Sequence, residues 1–155
     1  AFGKMNPPLR ERGDADYIMD SVLKGDVDFI GTDHAPHTRQ EKETGFMEAP
    51  SGVPTAEHYG WFASLLLSRG MEPASVARST SYNAAQFFGL DDKARIEEGY
   101  LADLAVLDTR RPSKVKPPYQ TKCGWSPLEG MEFPGRVSHT IRRGRIIAEN
   151  GKVLV

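Results

Sequence analysis

The feature that most constrains this chain is the order of three adjacent segments: a helical pattern, a short apolar run and a polar turn. Residues 14–24, "DADYIMDSVLK", place Ile18, Met19, Val22 and Leu23 at helical spacing, and Gly25 supplies a stop. Asp14 and Asp16 stand where the helix dipole favours acids. "VDFIG" at 27–31 follows, a short β-prone run of the kind buried in a parallel sheet. A helix feeding such a strand within a few residues is half of a βαβ unit, so the predicted class is α/β. "TDHAPH" begins where the strand ends, which is where α/β barrels carry their chemistry.

Further along, residues 38–53 read as a long polar loop rich in Glu, Lys, Gly and Pro, of the length that binding elements and lids have. Helical patterning resumes at Pro54, with Trp61, Phe62, Leu65 and Leu66 on one face and Gly70 at the end. Pro73 opens a second helical stretch, and "SYNAAQFFGL" a third that closes at Gly89. After Leu90 the character changes. "EEGYLADLAVLD" predicts a turn and a strand, and "RVSHTIRRGRIIAENGKVLV" further strands with Asn150-Gly151 as a hairpin signal. Residues 109–135, rich in Pro, Gly, Lys and Ser, are predicted to be irregular. The chain is therefore expected to divide into an α/β part, 1–90, and a small β-rich part, 91–155.

Charge excludes some partners. Twenty basic residues nearly balance twenty-one acidic ones, which gives no electrostatic case for nucleic acid or an anionic membrane. No apolar run approaches the length of a membrane span. Cys123 stands alone, so no internal disulfide can form within these residues, and a reducing cytoplasm is the expected location. The chain opens on "AFGKMNPPLR", with a polar, proline-bearing motif and no lead-in to a first element, and is expected to begin in the middle of a larger architecture.

An aspartate at a strand end, with His at the next and fourth positions, supports three readings. In the first, Asp33 and Thr32 cap a turn stiffened by Pro36, and His34 and His37 are satisfied surface groups. In the second, the three side chains form a local metal site, although Asp33 and His34 point in different directions on an extended backbone. In the third, the jobs are divided: Asp33 is metal ligand and proton carrier, and His37 reaches an anionic substrate. Chemistry favours the third. A carboxylate beside a metal-activated water can take its proton and pass it to a leaving nitrogen. A histidine a turn away suits a substrate carboxylate.

"KMNPPLR" at 4–10 and "TDHAPHTRQEK" at 32–42 resemble the cyclic-amide hydrolases of the amidohydrolase superfamily, most closely the dihydroorotase branch. "IEEGYLADLAVLD", "WSPLEG" and "GRVSHTIRRGRII" extend the resemblance over nearly the whole chain, but only to the C-terminal portion of such an enzyme. The resemblance implies the C-terminal part of a metal-dependent hydrolase TIM barrel followed by a small β-sandwich portion. It implies Asp33 as metal ligand and general acid/base, His37 on the substrate carboxylate, Asn6 on the pyrimidine ring or its carboxylate, and backbone near Ala49 and Gly52 completing the pocket. His34 would orient the strand end, and Arg10 would serve an ion pair or the substrate. The implied cofactor is zinc, one or two ions, mostly liganded by residues absent from this chain: the HxH pair, the bridging carboxylate or modified lysine and the mid-barrel histidines are missing. His58 and His139 cannot replace them by position.

The resulting expectation is the C-terminal portion of a zinc-dependent enzyme interconverting N-carbamoyl-L-aspartate and L-dihydroorotate in pyrimidine biosynthesis, inactive as this chain alone. A homo-oligomer or a complex with a transcarbamoylase is left open. Rival readings are another cyclic amidase (an allantoinase or hydantoinase), a non-catalytic scaffold subunit of the same descent, and a free-standing binding domain. The presence of Asp33, His37 and Asn6 weighs against the scaffold, and the exposed edges of a partial barrel against the binding domain.

Overall fold

The computed structural model describes residues 1–154. Helix α1 spans Arg12–Lys24, with Asp14 in its first turn and Lys24 in its last, each the sign its helix end favours. Gly25, at φ +83°, ends it. Val22 is buried on its apolar face, whereas Tyr17 and Ile18 are exposed.

The strand predicted at 27–31 does not form. A parallel strand exists only against neighbours that complete its ladder, and no described strand pairs with this one. Its backbone bonds to helical segments instead: Ile30 N–H donates to the Ser79 carbonyl and Asn83 Nδ2 to the Asp28 carbonyl.

The predicted loop at 38–53 contains a short helix, α2 (Arg39–Lys42), closed by a capping box. Glu41 N–H donates to Thr38 Oγ1 at 3.2 Å, and Thr38 N–H donates back to Glu41 Oε2 at 2.6 Å. The Thr38 hydroxyl and then its backbone N–H, both donating to Glu41, hold that carboxyl below its usual range.

A 3₁₀ turn (Ala56–His58) runs into α3 (Tyr59–Ser68), and Gly70 follows at φ +89°. α4 (Pro73–Ala77) starts on its proline, passes through a π turn (Arg78–Tyr82) and continues as α5 (Asn83–Phe87). These helices stand where the periodicity places them.

The strands are β1 (Leu104–Asp108), β2 (Ser113–Lys114), β3 (Glu132–Phe133), β4 (Arg136–Arg142), β5 (Arg145–Glu149) and β6 (Lys152–Val153). One four-stranded sheet runs in the order β1-β4-β5-β6 with every pair antiparallel, and β2 and β3 form a separate ribbon. Of the expected β-sandwich portion, the described residues thus supply one four-stranded antiparallel sheet and one two-stranded ribbon. Asn150 and Gly151 turn β5 into β6 at φ +47° and +81°, the left-handed pair that a tight hairpin requires. Arg143-Gly144 does the same between β4 and β5.

The chain folds as two compact units that interleave along the sequence. One comprises 1–19, 32–59 and 114–132; the other 20–31, 60–113 and 133 onward. The second is built on Val22, Ala63, Leu66, Met71, Val76, Ala85 and Phe133. Gly60 admits Val137 where any side chain would collide with it, and Trp61 stacks on Phe133 at 5.9 Å. The first is built on Ala49, Val53, Val115 and Trp125, together with the buried polar residues Lys42, His58 and Ser126.

Candidate active site

The motif residues lie in the first unit, where 32–37 is bound along 51–56. Ala35 N–H donates to the Val53 carbonyl, Thr55 Oγ1 donates to the Thr32 carbonyl at 2.7 Å, and His34 and Val53 form a parallel bridge. His34 Nδ1 accepts from the N–H groups of both Thr55 and Ala56 at 3.0 Å. That nitrogen is therefore the unprotonated one, and His34 caps a turn whose own N-cap, Thr55, makes no side-chain cap bond.

Asp33 sits at φ +45°, a left-handed conformation that aspartate tolerates better than most residues. Its carboxylate is exposed and takes no hydrogen bond or ion pair among the described residues. His37 is half-buried; its Nε2–H donates to the Ser51 carbonyl at 3.1 Å, and its own carbonyl accepts from Trp125 Nε1 at 2.8 Å. The Trp125 indole is in turn met edge-on by Phe2 at 4.9 Å. Asn6 is exposed and precedes a cis peptide to Pro7. Ala49 is buried, its N–H on the Gly45 carbonyl.

Gly52 N–H donates to the Lys4 carbonyl at 2.9 Å. A Cβ at Gly52 would stand 2.6 Å from both Ala35 Cβ and the Ala35 carbonyl oxygen, at a backbone φ of +126°. Gly52→Ala is expected to cost about 1–3 kcal/mol of stability in strain alone, read as a lower denaturant midpoint. An unchanged midpoint would show that this close approach can relax.

A cleft of about 710 Å³ opens beside the motif, lined by His34, His37, Thr38, Glu57, Thr121 and Cys123 among others. Of the metal- and substrate-binding residues expected from sequence it gathers only His37, with His34 and Pro36 of the same motif beside it; Asp33, Asn6, Ala49 and Gly52 do not line it. The cleft wall depends on Glu57, whose Oε2 accepts from Gln120 N–H, Thr121 N–H and Thr121 Oγ1 at 2.8–3.1 Å. Behind it, Ser126 Oγ lies 2.7 Å from His58 Nε2 and accepts the Leu128 N–H, which leaves its hydroxyl proton for the imidazole. Burial lowers the His58 pKa against the opposing charge of Glu57, which favours the neutral ring.

Sequence reasoning gives no role to Lys42, Glu57, Trp125 or Ser126. The Thr38-to-Glu41 capping pattern is enough to place α2 and so Lys42, but no local pattern marks the other three. As for metal, no three His, Cys, Asp or Glu side chains among the described residues are grouped to hold an ion. Asp33 can supply one donor, and the donors among the described residues do not complete a metal centre.

Residues 9–147 match the amidohydrolase family. The chain belongs to that family. It is 37 % identical over 95 % of its length to a dihydroorotase of Methanosarcina acetivorans, and 36 % identical over 97 % to one of Methanothermobacter thermautotrophicus. It spans about a third of each, 32 % and 35 %. Among solved structures, a D-hydantoinase (dihydropyrimidinase) from Thermus sp. superposes with a TM-score of 0.86 at 28 % identity, over 98 % of this chain and 35 % of that one. An L-hydantoinase from Arthrobacter aurescens gives 0.85 at 25 % identity, over 99 % and 36 %. This amidohydrolase chain thus shares its fold with these hydantoinases. No helix among its described residues is long and apolar enough to cross a membrane.

Proposed function

We propose that the chain is the C-terminal portion of a zinc-dependent dihydroorotase, which interconverts N-carbamoyl-L-aspartate and L-dihydroorotate. The observation that carries this reading is the likeness to dihydroorotases over almost the whole chain, at 37 % identity for the Methanosarcina acetivorans protein. In this reading, residues 1–90 close a (β/α)8 barrel, 91–155 belong to its small β-rich domain, and the missing metal ligands lie in another part of the protein. This chain alone would then be inactive.

Asp33 is proposed as one metal ligand and as the proton carrier. Its carboxylate, free of competing partners, can take a proton from the attacking water and return it to the departing ring nitrogen. His37 is proposed to meet the substrate carboxylate, with Asn6 and the backbone at Ala49 and Gly52 shaping the rest of the pocket. Zinc, when bound, would supply a water of lowered pKa. The full protein would work in the cytoplasm, in pyrimidine biosynthesis.

The hydantoinase structures favour a second reading, a cyclic amidase of other specificity. Turnover of dihydroorotate, hydantoin and allantoin by the full-length gene product separates the two. A kcat/KM for dihydroorotate at least tenfold above the others is expected, and a preference for hydantoin or allantoin would replace the first reading with the second. No turnover of any would favour a scaffold subunit.

A further inference from the structure

Lys42 is fully buried, yet none of the ion pairs among the described residues includes it. Lysines are almost never buried this deeply unless their charge is answered. Here the answer comes from backbone. The ammonium donates to the carbonyls of Pro50 at 2.8 Å, Gly52 at 3.1 Å and Lys4 at 3.3 Å. Three acceptors match the three N–H groups of an ammonium; a neutral amine would offer two and turn a lone pair on the third carbonyl. Burial, and then the charge of Lys4, lower the Lys42 pKa, so the site holds its proton less firmly than a surface lysine does.

The three carbonyls are not scattered. Pro50 and Gly52 flank Ser51, whose carbonyl takes the His37 Nε2–H. Lys4 is two residues from Asn6, and its carbonyl also accepts the Gly52 N–H. The Lys42 cation therefore ties the segment carrying Asn6 to the loop that orients His37, alongside the direct Gly52 N–H bond to the Lys4 carbonyl and the bond from Lys4 Nζ to the Met47 carbonyl. "KMNPPLR" and "TDHAPHTRQEK", far apart in sequence, are joined directly by the Lys42 bond to the Lys4 carbonyl.

We propose that Lys42 is a positioning residue for the substrate pocket, holding the Asn6 segment and the His37 acceptor in register through three backbone carbonyls. The proposal rests on the dihydroorotase reading for its kinetic consequence, but not for its structural one. Lys42→Met keeps the length and removes the charge and donors; Lys42→Gln keeps an NH₂ that reaches fewer carbonyls.

Two measurements on the full-length protein test this. The first is the His37 Nε2–H proton signal in ¹H–¹⁵N spectra, assigned by its loss in His37→Ala. In wild type it is expected to be resolved by its bond to Ser51, and in the Lys42 variants to shift or broaden into solvent exchange. The second is steady-state kinetics with dihydroorotate, in which KM is expected to rise about tenfold with kcat within about threefold. An unshifted His37 signal together with an unchanged KM in either folded variant overturns the proposal. So does failure of both variants to fold, since Lys42 would then serve the fold as a whole. A wild-type protein that turns over no dihydroorotate refutes the functional reading, and the His37 signal alone then decides whether Lys42 positions the loop.

Discussion

Asp33→Asn in the full-length protein should lower turnover of dihydroorotate and of N-carbamoyl-aspartate by about 10²–10⁴-fold, with the thermal midpoint nearly unchanged. The two halves of this expectation have separate grounds. The fold should tolerate the change because the Asp33 carboxylate is exposed and takes part in no hydrogen bond or ion pair among the described residues. Asparagine is also among the residues that accept a left-handed backbone such as φ +45°, so the local chain has no reason to move. Activity should fall because an amide cannot accept the proton of the attacking water. Loss in both directions is required, since the group that delivers a proton in ring closure receives it in ring opening. A variant that kept a tenth of the wild-type rate would remove Asp33 from proton transfer, and one that lost its thermal midpoint would show a structural task that the geometry does not reveal.

The elements whose information is local are legible in the sequence. Helix α1, α3 and the Asn150-Gly151 hairpin follow from periodicity, stops and positive-φ residues within a few positions of each other. The strand expected at 27–31 fails to form because its apolar run fits a ladder that only neighbouring strands can complete, and no described strand does so. The helix inside the polar loop escapes a reading by periodicity although Thr38 and Glu41 spell a capping box, because a single turn carries no apolar period to announce it.

The candidate site divides in the same way. The D-H-x-P-H pattern points to Asp33 and His37 by chemical type alone. Nothing in the local sequence shows that Lys42 is buried, or that Glu57 receives three donors from 120–121, more than sixty residues on. A buried lysine looks like any other until the carbonyls that enclose it are known, and those belong to segments 1–6 and 49–52. Tethers of this kind are properties of the fold, made by chain segments that the site's own residues do not specify.

His37 offers the most discriminating test of what the pocket binds. Its Nε2–H is committed to the Ser51 carbonyl, so only Nδ1 is available to a ligand while that bond persists. On a neutral ring Nδ1 is an acceptor and would repel a carboxylate; on an imidazolium it is a charge-assisted donor. A hydrogen bond to a charged group contributes about 1.5–3 kcal/mol, so His37→Ala should raise KM for dihydroorotate by roughly 10–150-fold. The same substitution should leave the KM for dihydrouracil, the same ring without the carboxylate, within about threefold, because the lost partner has nothing to bind there. Equal losses with both substrates would mean that His37 shapes the pocket through Ser51 and Trp125 and does not touch the anion. Equal tolerance of both would place the carboxylate against another part of the protein, and the division of labour between Asp33 and His37 would have to be abandoned.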